Sequence, residues 1–229
     1  SGAHQMTTTR GRPTENRTPL NRQRVLEAAV ELADRDGLEA LSMRKLGQSL
    51  DVEAMSLYNH VKNKDDLLDG IVDLVVGEFD SPLDREGVGW QATLRRCAIA
   101  AHAALLRHPW SAALAESRPS SGPARLRYYD DLMGMLRQAG FSVMGTYRAN
   151  IILDSYIYGF ALQEVSWPSE EAGESELAAA FMDRTVQAEY PHLYDTAELA
   201  ARGEIWLSTD FEVGLDVILE SLERIREAD

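Results

Sequence analysis

From Asn21 to Phe79 the apolar residues recur at three- and four-residue spacing in four short runs. Three of the runs open on Asn or Ser, which cap a helix N-terminus with a side-chain oxygen. A chain punctuated this way folds into small packed helices and cannot form a sheet. Asn21 opens the first run, with Val25, Ala29 and Leu32 on one face and Ala28 and Ala33 beside it, and Gly37 stops it. Ser42 caps a second helix carrying Leu46 and Leu50. A third is predicted over Ala54–Val61 after Asp51-Val52-Glu53, and a fourth from Asn63 to about Phe79.

The remainder reads as helical too. Ser81–Gly89, with Pro82, Gly87 and Gly89, is a linker. Helices are expected over Trp90–Arg107, Ala124–Ala139, Met144–Val165, Glu176–Glu189 and Phe211–Glu227. Arg118–Pro123 and Trp167–Ser175 are loops, and Pro191–Gly203 is irregular. No strand pattern is convincing, so the fold class is all-α: a small three-helix head and a larger helical body. The expected division is 1–20, 21–80 and 81–229. In the first segment, Ser1–Gln5 read as an expression remnant ahead of a natural start at Met6, and Met6–Leu20 as a flexible basic arm.

The 229 residues are 45% hydrophobic and 26% charged, which is globular, and no apolar run reaches the roughly 18 residues of a membrane span. Neither a membrane partner nor a signal peptide is expected, and a single cysteine, Cys97, leaves no internal disulfide; the cytoplasm fits best. The net charge of −14 argues against nucleic acid until it is divided. Residues 1–64 hold 10 Lys and Arg against 8 Asp and Glu, whereas the rest hold 13 against 29. So lopsided a distribution suggests two jobs on one chain; an acidic surface that keeps the body soluble would not explain ten basic residues at one end.

A helix-turn-helix needs aliphatic contacts inside the turn and polar residues on the outer face of its second helix, which lies in the major groove. Leu46, Leu50, Val52 and Leu57 supply the first. Met55, Ser56, Tyr58, Asn59 and His60 remain for the second. Arg44 can reach a guanine edge or a phosphate, and Lys64, at a helix start, can hold a phosphate. Catalysis is not expected. His102, His108 and His192 are scattered with no paired spacing for zinc, and there is neither a Gly-rich phosphate loop nor a Gly-x-Ser-x-Gly elbow. Hence no cofactor and no metal are expected.

The strings Leu41-Ser-Met-Arg-Lys-Leu-Gly-Gln-Ser-Leu50, Leu57-Tyr-Asn-His-Val-Lys-Asn-Lys64 and Leu67-Leu68-Asp69 resemble the tetracycline repressor family over about 60 residues. The resemblance implies base contacts from Arg44, Met55 and Tyr58, and phosphate contacts from Ser56, Asn59, His60 and Lys64. Ala54-Met55 departs from the Gln-Pro or similar pair frequent there, so the operator sequence does not carry over. Arg10-Gly11-Arg12-Pro13 resembles the core of an AT-hook, which enters the minor groove; a basic tail that binds DNA nonspecifically is the other reading.

The likeness continues through Trp90-Gln91, Arg118-Pro119, Gln138–Ser142, Gly159 and Phe211–Ile218. It implies a homodimer whose four-helix interface uses Met144–Val165 and Phe211–Glu227, and Ile151, Ile152, Tyr156, Ile218 and Leu222 are more apolar surface than a single monomer seam needs. It also implies an inducer pocket lined here by Cys97, Ala101, Tyr129, Met133, Tyr147, Asn150 and Asp154. Asp80, Cys97 and Ala101 stand where the tetracycline repressor carries its histidine, asparagine and phenylalanine drug contacts, so tetracycline itself does not fit. The function implied is a ligand-responsive repressor. It would bind a palindromic double-stranded DNA operator and be released by a small-molecule inducer acting through Asn63–Phe79 as a lever driven by Pro109–Ser117. The alternatives are an activator or architectural DNA-binding protein without ligand release, and a binding protein or enzyme with a vestigial head.

Overall fold

A computed structural model describes residues 19–83, 87–118, 122–166, 184–202 and 207–228. Among them there are helices and turns and no strand. The head holds α1 (Arg22–Asp36), a 3-10 turn at Leu38–Ala40, α2 (Met43–Leu50), α3 (Ala54–Leu57) and α4 (Lys64–Val76). The body holds α5 (Trp90–Arg107), α6 (Ser111–Ser117), α7 (Pro123–Gln138), α8 (Val143–Ser166), α9 (Arg184–Glu189), α10 (Pro191–Ala201) and α11 (Leu207–Ala228).

The caps do what their chemistry suggests. Asn21, Ser42 and Asn63 accept from the backbone N–H of Arg24, Lys45 and Asp66 at 2.9, 3.3 and 2.8 Å. Gly37 leaves α1 at φ +82°, a region costly for any side chain. The head core is Val25, Leu26, Ala29, Leu41, Leu46, Leu57, Val61, Leu67 and Ile71, all essentially removed from water. It runs without a break into the body core, which takes in Leu94, Ala98, Ala101 and Ala104 of α5. The helix α5 packs against both α8 and α11. His102 of α5 stacks on Phe211 of α11, with ring centroids 3.9 Å apart, and its Nε2 meets Glu164 at 2.8 Å.

Three differences from the sequence reading stand out. The third helix ends at Leu57, and Tyr58, Asn59 and His60 continue it in tighter i→i−3 turns (3.3, 3.3 and 2.9 Å), because Asn63 must break out to cap α4. Pro191–Ala201, read as irregular, is a helix: Pro191 sits at its first position, and a Glu198–Arg202 pair supports its end. Its sparse apolar residues, Leu193 and Leu199, stay exposed, so no stripe announced it. Finally, α11 starts four residues earlier than expected. Arg10–Pro13, the loop Trp167–Ser175 and most of Glu176–Glu189 lie outside the described residues.

Polar contacts join head to body. His108, at the end of α5, puts Nδ1 2.9 Å from both carboxylate oxygens of Asp34 on α1 and Nε2 3.1 Å from Glu78. Trp110 donates to Asp34 at 2.7 Å. Arg118, closing α6, pairs with Asp65 (3.1 Å) and Asp69 of α4. Asp73 of α4 accepts from the first backbone N–H groups of α7, those of Ala124 (3.2 Å) and Arg125 (2.9 Å).

Candidate functional site

The outer face of the head depends on how closely α2 and α3 cross. A Cβ on Gly47 would fall 2.9 Å from the Val52 carbonyl oxygen and 3.2 Å from the Ala54 nitrogen, so a glycine permits the approach. Asp51 turns the chain in the left-handed conformation, φ +54° and ψ +47°. Leu46 and Leu57 are fully buried inside the corner. What that leaves outside is Met55, 76% exposed, and Tyr58, 45% exposed, with Asn59 exposed and Ser56 and His60 half-buried. Arg44 and Lys64, like Lys45 and Lys62, are exposed. All seven residues expected to touch DNA therefore belong to one small unit of α2, the α3 segment and the first turn of α4.

That unit is clamped from behind. The guanidinium of Arg22 on α1 donates to both carboxylate oxygens of Asp66 (2.9 and 2.7 Å) and to the carbonyl of His60 (3.0 Å). Asp66 also accepts from the Lys62 backbone N–H at 2.8 Å. The Arg22 hydrogen bonds hold the Asp66 carboxyl below the usual carboxylate range, against the opposing effect of burial. Gly47, Arg22 and Asp66 went unremarked in the sequence. Arg22 and Asp66 lie 44 positions apart, and nothing local signals such a pair.

In the body the seven expected ligand residues separate. Cys97 and Ala101 are sealed in the core, and burial pushes the Cys97 thiol up to about 11. Tyr147 is 55% exposed on α8, while Met133 on α7 is half-buried. Tyr129, Asn150 and Asp154 do come together: Tyr129 donates to the Asp154 carboxylate, and Asn150 Nδ2 donates to it at 3.3 Å. Asp80, one of the replaced drug-contact positions, forms an ion pair with Arg96.

Asp154 also lines a groove of about 350 Å³ between α6 and α8, with Glu116, Ile151, Ser155, Tyr158, Gly159 and Leu162. Burial raises the Asp154 carboxyl to about 6, aided by the Glu116 charge and opposed by Tyr129, Arg125 and Asn150. Burial, then the Asp154 charge, raises the Tyr158 phenol to about 12. The Arg125 guanidinium lies 5.9 Å over the Tyr129 ring. The Tyr158 hydroxyl is buried against Tyr129, and Asn150 Oδ1 and Arg125 Nη1 are buried with no hydrogen-bond partner. Unsatisfied polar atoms behind the groove wall are costly to bury. Glu116, Ser155 and Tyr158 carry no local signal for this placement, because the face of α8 that meets α6 is set by tertiary packing. Among the described residues, no group of three or more His, Cys, Asp or Glu is placed to hold a metal, and no helix is long and apolar enough to cross a membrane.

Residues 25–71 match the family of bacterial regulatory proteins named for tetR, and residues 81–226 match the tetracyclin repressor-like C-terminal domain. The chain belongs to the TetR family. It is therefore a DNA-binding transcriptional regulator, in a family whose members bind operators, form dimers and bind small molecules. An HTH-type transcriptional regulator of Saccharopolyspora erythraea is 37% identical over 174 residues, 76% of this chain and 73% of that one. The HTH-type transcriptional repressor DrrR1 of Streptomyces coeruleorubidus is 32% identical over 222 residues, 93% and 81% of the two chains. Among TetR-family structures, ActR of Streptomyces coelicolor without ligand superposes with a TM-score of 0.76 at 28% identity, covering 93% of this chain and 99% of that one. ActR in complex with actinorhodin gives 0.75 at 28% identity, covering 90% and 98%.

Proposed function

We propose that the protein is a ligand-responsive repressor, a homodimer whose two heads bind a palindromic operator and are released when a small molecule occupies the body. The observation that carries this is the set of contacts between groove and head. Glu116 lines the groove, and two residues later Arg118 holds Asp65 and Asp69 of α4. Arg125, beside Asp154, begins the helix that Asp73 of α4 caps. The first turn of α4 carries Lys64 and, through Asp66, the Arg22 clamp. A ligand that repositions α6 or the start of α7 therefore acts on the lever beneath the DNA-contacting unit. It changes operator affinity only so far as it favours one head position over the other.

Arg44, Met55 and Tyr58 would touch bases, while Ser56, Asn59, His60 and Lys64 would hold phosphates. The division into an arm (1–20), a head (21–80) and a body (81–229) is supported by the limits of the two family matches. The dimer is supported by apolar side chains on the outer sides of α8 and α11: Tyr147, Ile151, Ile152, Val165, Val213 and Val217 are 39–64% exposed. Ile151 also lines the groove, so a second copy seated on α8 would wall its open side. Repression is supported by the DrrR1 likeness, and ligand control by the likeness to ActR crystallised with actinorhodin.

The test is a thermal-shift screen of hydrophobic drugs and metabolites, each hit then titrated against the protein bound to fluorescent operator. A hit that raises Tm and frees the DNA supports the reading. Stabilisation by every hit without release would contradict ligand control.

A further inference from the structure

We propose that His108 is a positioning residue whose doubly protonated ring latches the head onto the body, so that operator affinity falls when one proton leaves. The proposal rests on reading the chain as an operator-binding dimer and adds a proton to what holds its heads in place. His108 ends α5, with its backbone N–H bonded to the Ala104 carbonyl at 3.1 Å, and is only 8% exposed. Its Nδ1 lies 2.9 Å from both carboxylate oxygens of Asp34 on α1. Its Nε2 lies 3.1 Å from Oε1 of Glu78, just past the end of α4.

A neutral imidazole carries one N–H and one lone pair. Whichever nitrogen lost its proton would turn a lone pair toward a carboxylate oxygen, so only the imidazolium satisfies both contacts. The charged groups turned to the ring are Asp34 from α1, Glu78 from the end of α4 and, through Glu78, Arg107 of α5. Arg107 takes the other oxygen of Glu78 at 2.6 Å, and Trp110 takes Asp34 at 2.7 Å. Burial works to raise the Glu78 carboxyl, but the Arg107 hydrogen bond and the His108 charge hold it below the usual carboxylate range.

The latch completes a grip on α4. The short helix α6 starts three residues after His108 and ends at Arg118, which pairs with Asp65 and Asp69. The α6 segment is therefore tied to α4 at both ends, by Arg118 at the first turn and by His108 at Glu78, while Asp34 brings in α1. Loss of the proton releases the His108 end and leaves the Arg118 end, so the head keeps its fold and loses its fixed seat. Two heads must hold one spacing to reach both half-sites, and heads that wander give up affinity to ordering. Phosphate contacts by a single head do not need that spacing.

Nitrogen NMR spectra of the full-length protein labelled at histidine read the ring directly, its signals assigned by their loss in His108→Gln. Both ring nitrogens should carry protons at about pH 6, and one proton should leave on the way to about pH 9. Fluorescence anisotropy over the same range uses the duplex that the wild-type chain enriches from a random pool, beside a scrambled duplex. Across it the wild-type protein should lose about tenfold more operator affinity than His108→Gln, with no such excess on scrambled DNA. The comparison cancels the titration of His60 at the DNA face and of His102 beside Glu164. Asp34→Asn, at an exposed position, should also remove most of the excess and takes the place of His108→Gln if that variant folds poorly. A ring with one protonated nitrogen at about pH 6, or the same pH dependence in wild type and variants, overturns the latch, as does operator binding that tightens when the proton leaves. Enrichment of no duplex overturns the operator reading and the proposal with it, and the ring spectra, which need no DNA, tell that failure from a failed latch.

Discussion

Replacing Gly47 by Ala probes the corner on which DNA contact depends, because two effects of opposite sign meet there. In an unobstructed helix the change stabilises by about 1 kcal/mol, since Gly costs more backbone entropy than Ala. Here the new methyl would lie 2.9 Å from the Val52 oxygen and 3.2 Å from the Ala54 nitrogen. Both are backbone atoms, so no side-chain rotation relieves the contact. Reaching ordinary contact at 3.4 Å requires the start of α3 to retreat by about half an ångström from α2. Overpacking of this kind costs about 1–3 kcal/mol, which outweighs the propensity gain over most of its range. At about 2–4 °C per kcal/mol for a chain of this size, Tm should fall by a few degrees. The displaced segment carries Met55 and Tyr58, so operator affinity should fall more than affinity for random DNA, because base contacts need their register and phosphate contacts tolerate small shifts. Scanning calorimetry and fluorescence anisotropy on operator and scrambled duplexes measure both. A Gly47→Ala protein with a raised Tm and unchanged operator affinity would show that the corner tolerates a methyl and does not set the register of α3.

Removing Asp73 (Asp73→Ala) uncaps two backbone N–H groups of α7 and should lower stability by about 0.5–2 kcal/mol in urea unfolding, while reducing the shift in operator affinity that ligand produces. The Asp154 carboxyl, raised to about 6 when folded against about 4 when unfolded, destabilises above pH 6 and not below pH 4, so its contribution worsens as pH rises through that window. Asp154→Asn should accordingly gain about 1–3 kcal/mol at pH 7.5, with the gain vanishing near pH 4, as thermal melts across pH would reveal. Glu placed at both Ile152 and Val217, 39% and 60% exposed, should raise the dimer dissociation constant at least tenfold in analytical ultracentrifugation, about 1.4 kcal/mol. Lys64→Ala should reduce the slope of log affinity against log salt by about one unit, equally on specific and random DNA.

The parts of the fold written locally in the chain were the legible ones. Asn21, Ser42 and Asn63 announced three helix starts, and Leu46 and Leu57 the inside of the corner between α2 and α3, because caps and periodicity act within a few residues. The shortened α3 was not legible: where the segment tightens depends on Asn63 capping the next helix and on Arg22 reaching the His60 carbonyl from α1. The groove was least legible. Asp154 was singled out and lines it, whereas Cys97 and Ala101 sit in the core, and Glu116, Ser155 and Tyr158 gave no signal. Helical periodicity says that α8 has a buried side, but which of its flanks meets α6 follows from the packing of α5, α8 and α11. The single cysteine excluded an internal disulfide among these 229 residues, and its thiol proves to be buried.

Selection of DNA from a random pool, with Tyr58→Ala carried through in parallel, tests whether the head reads a palindromic operator. The wild-type chain should enrich one inverted repeat with half-sites about one helical turn, or a multiple of it, apart, bound by two chains. Tyr58→Ala should lose about 1–3 kcal/mol on that repeat, with its binding to random sequence unchanged. Enrichment of no sequence by the wild-type chain, or the same repeat bound equally well by Tyr58→Ala, would contradict that reading of the head.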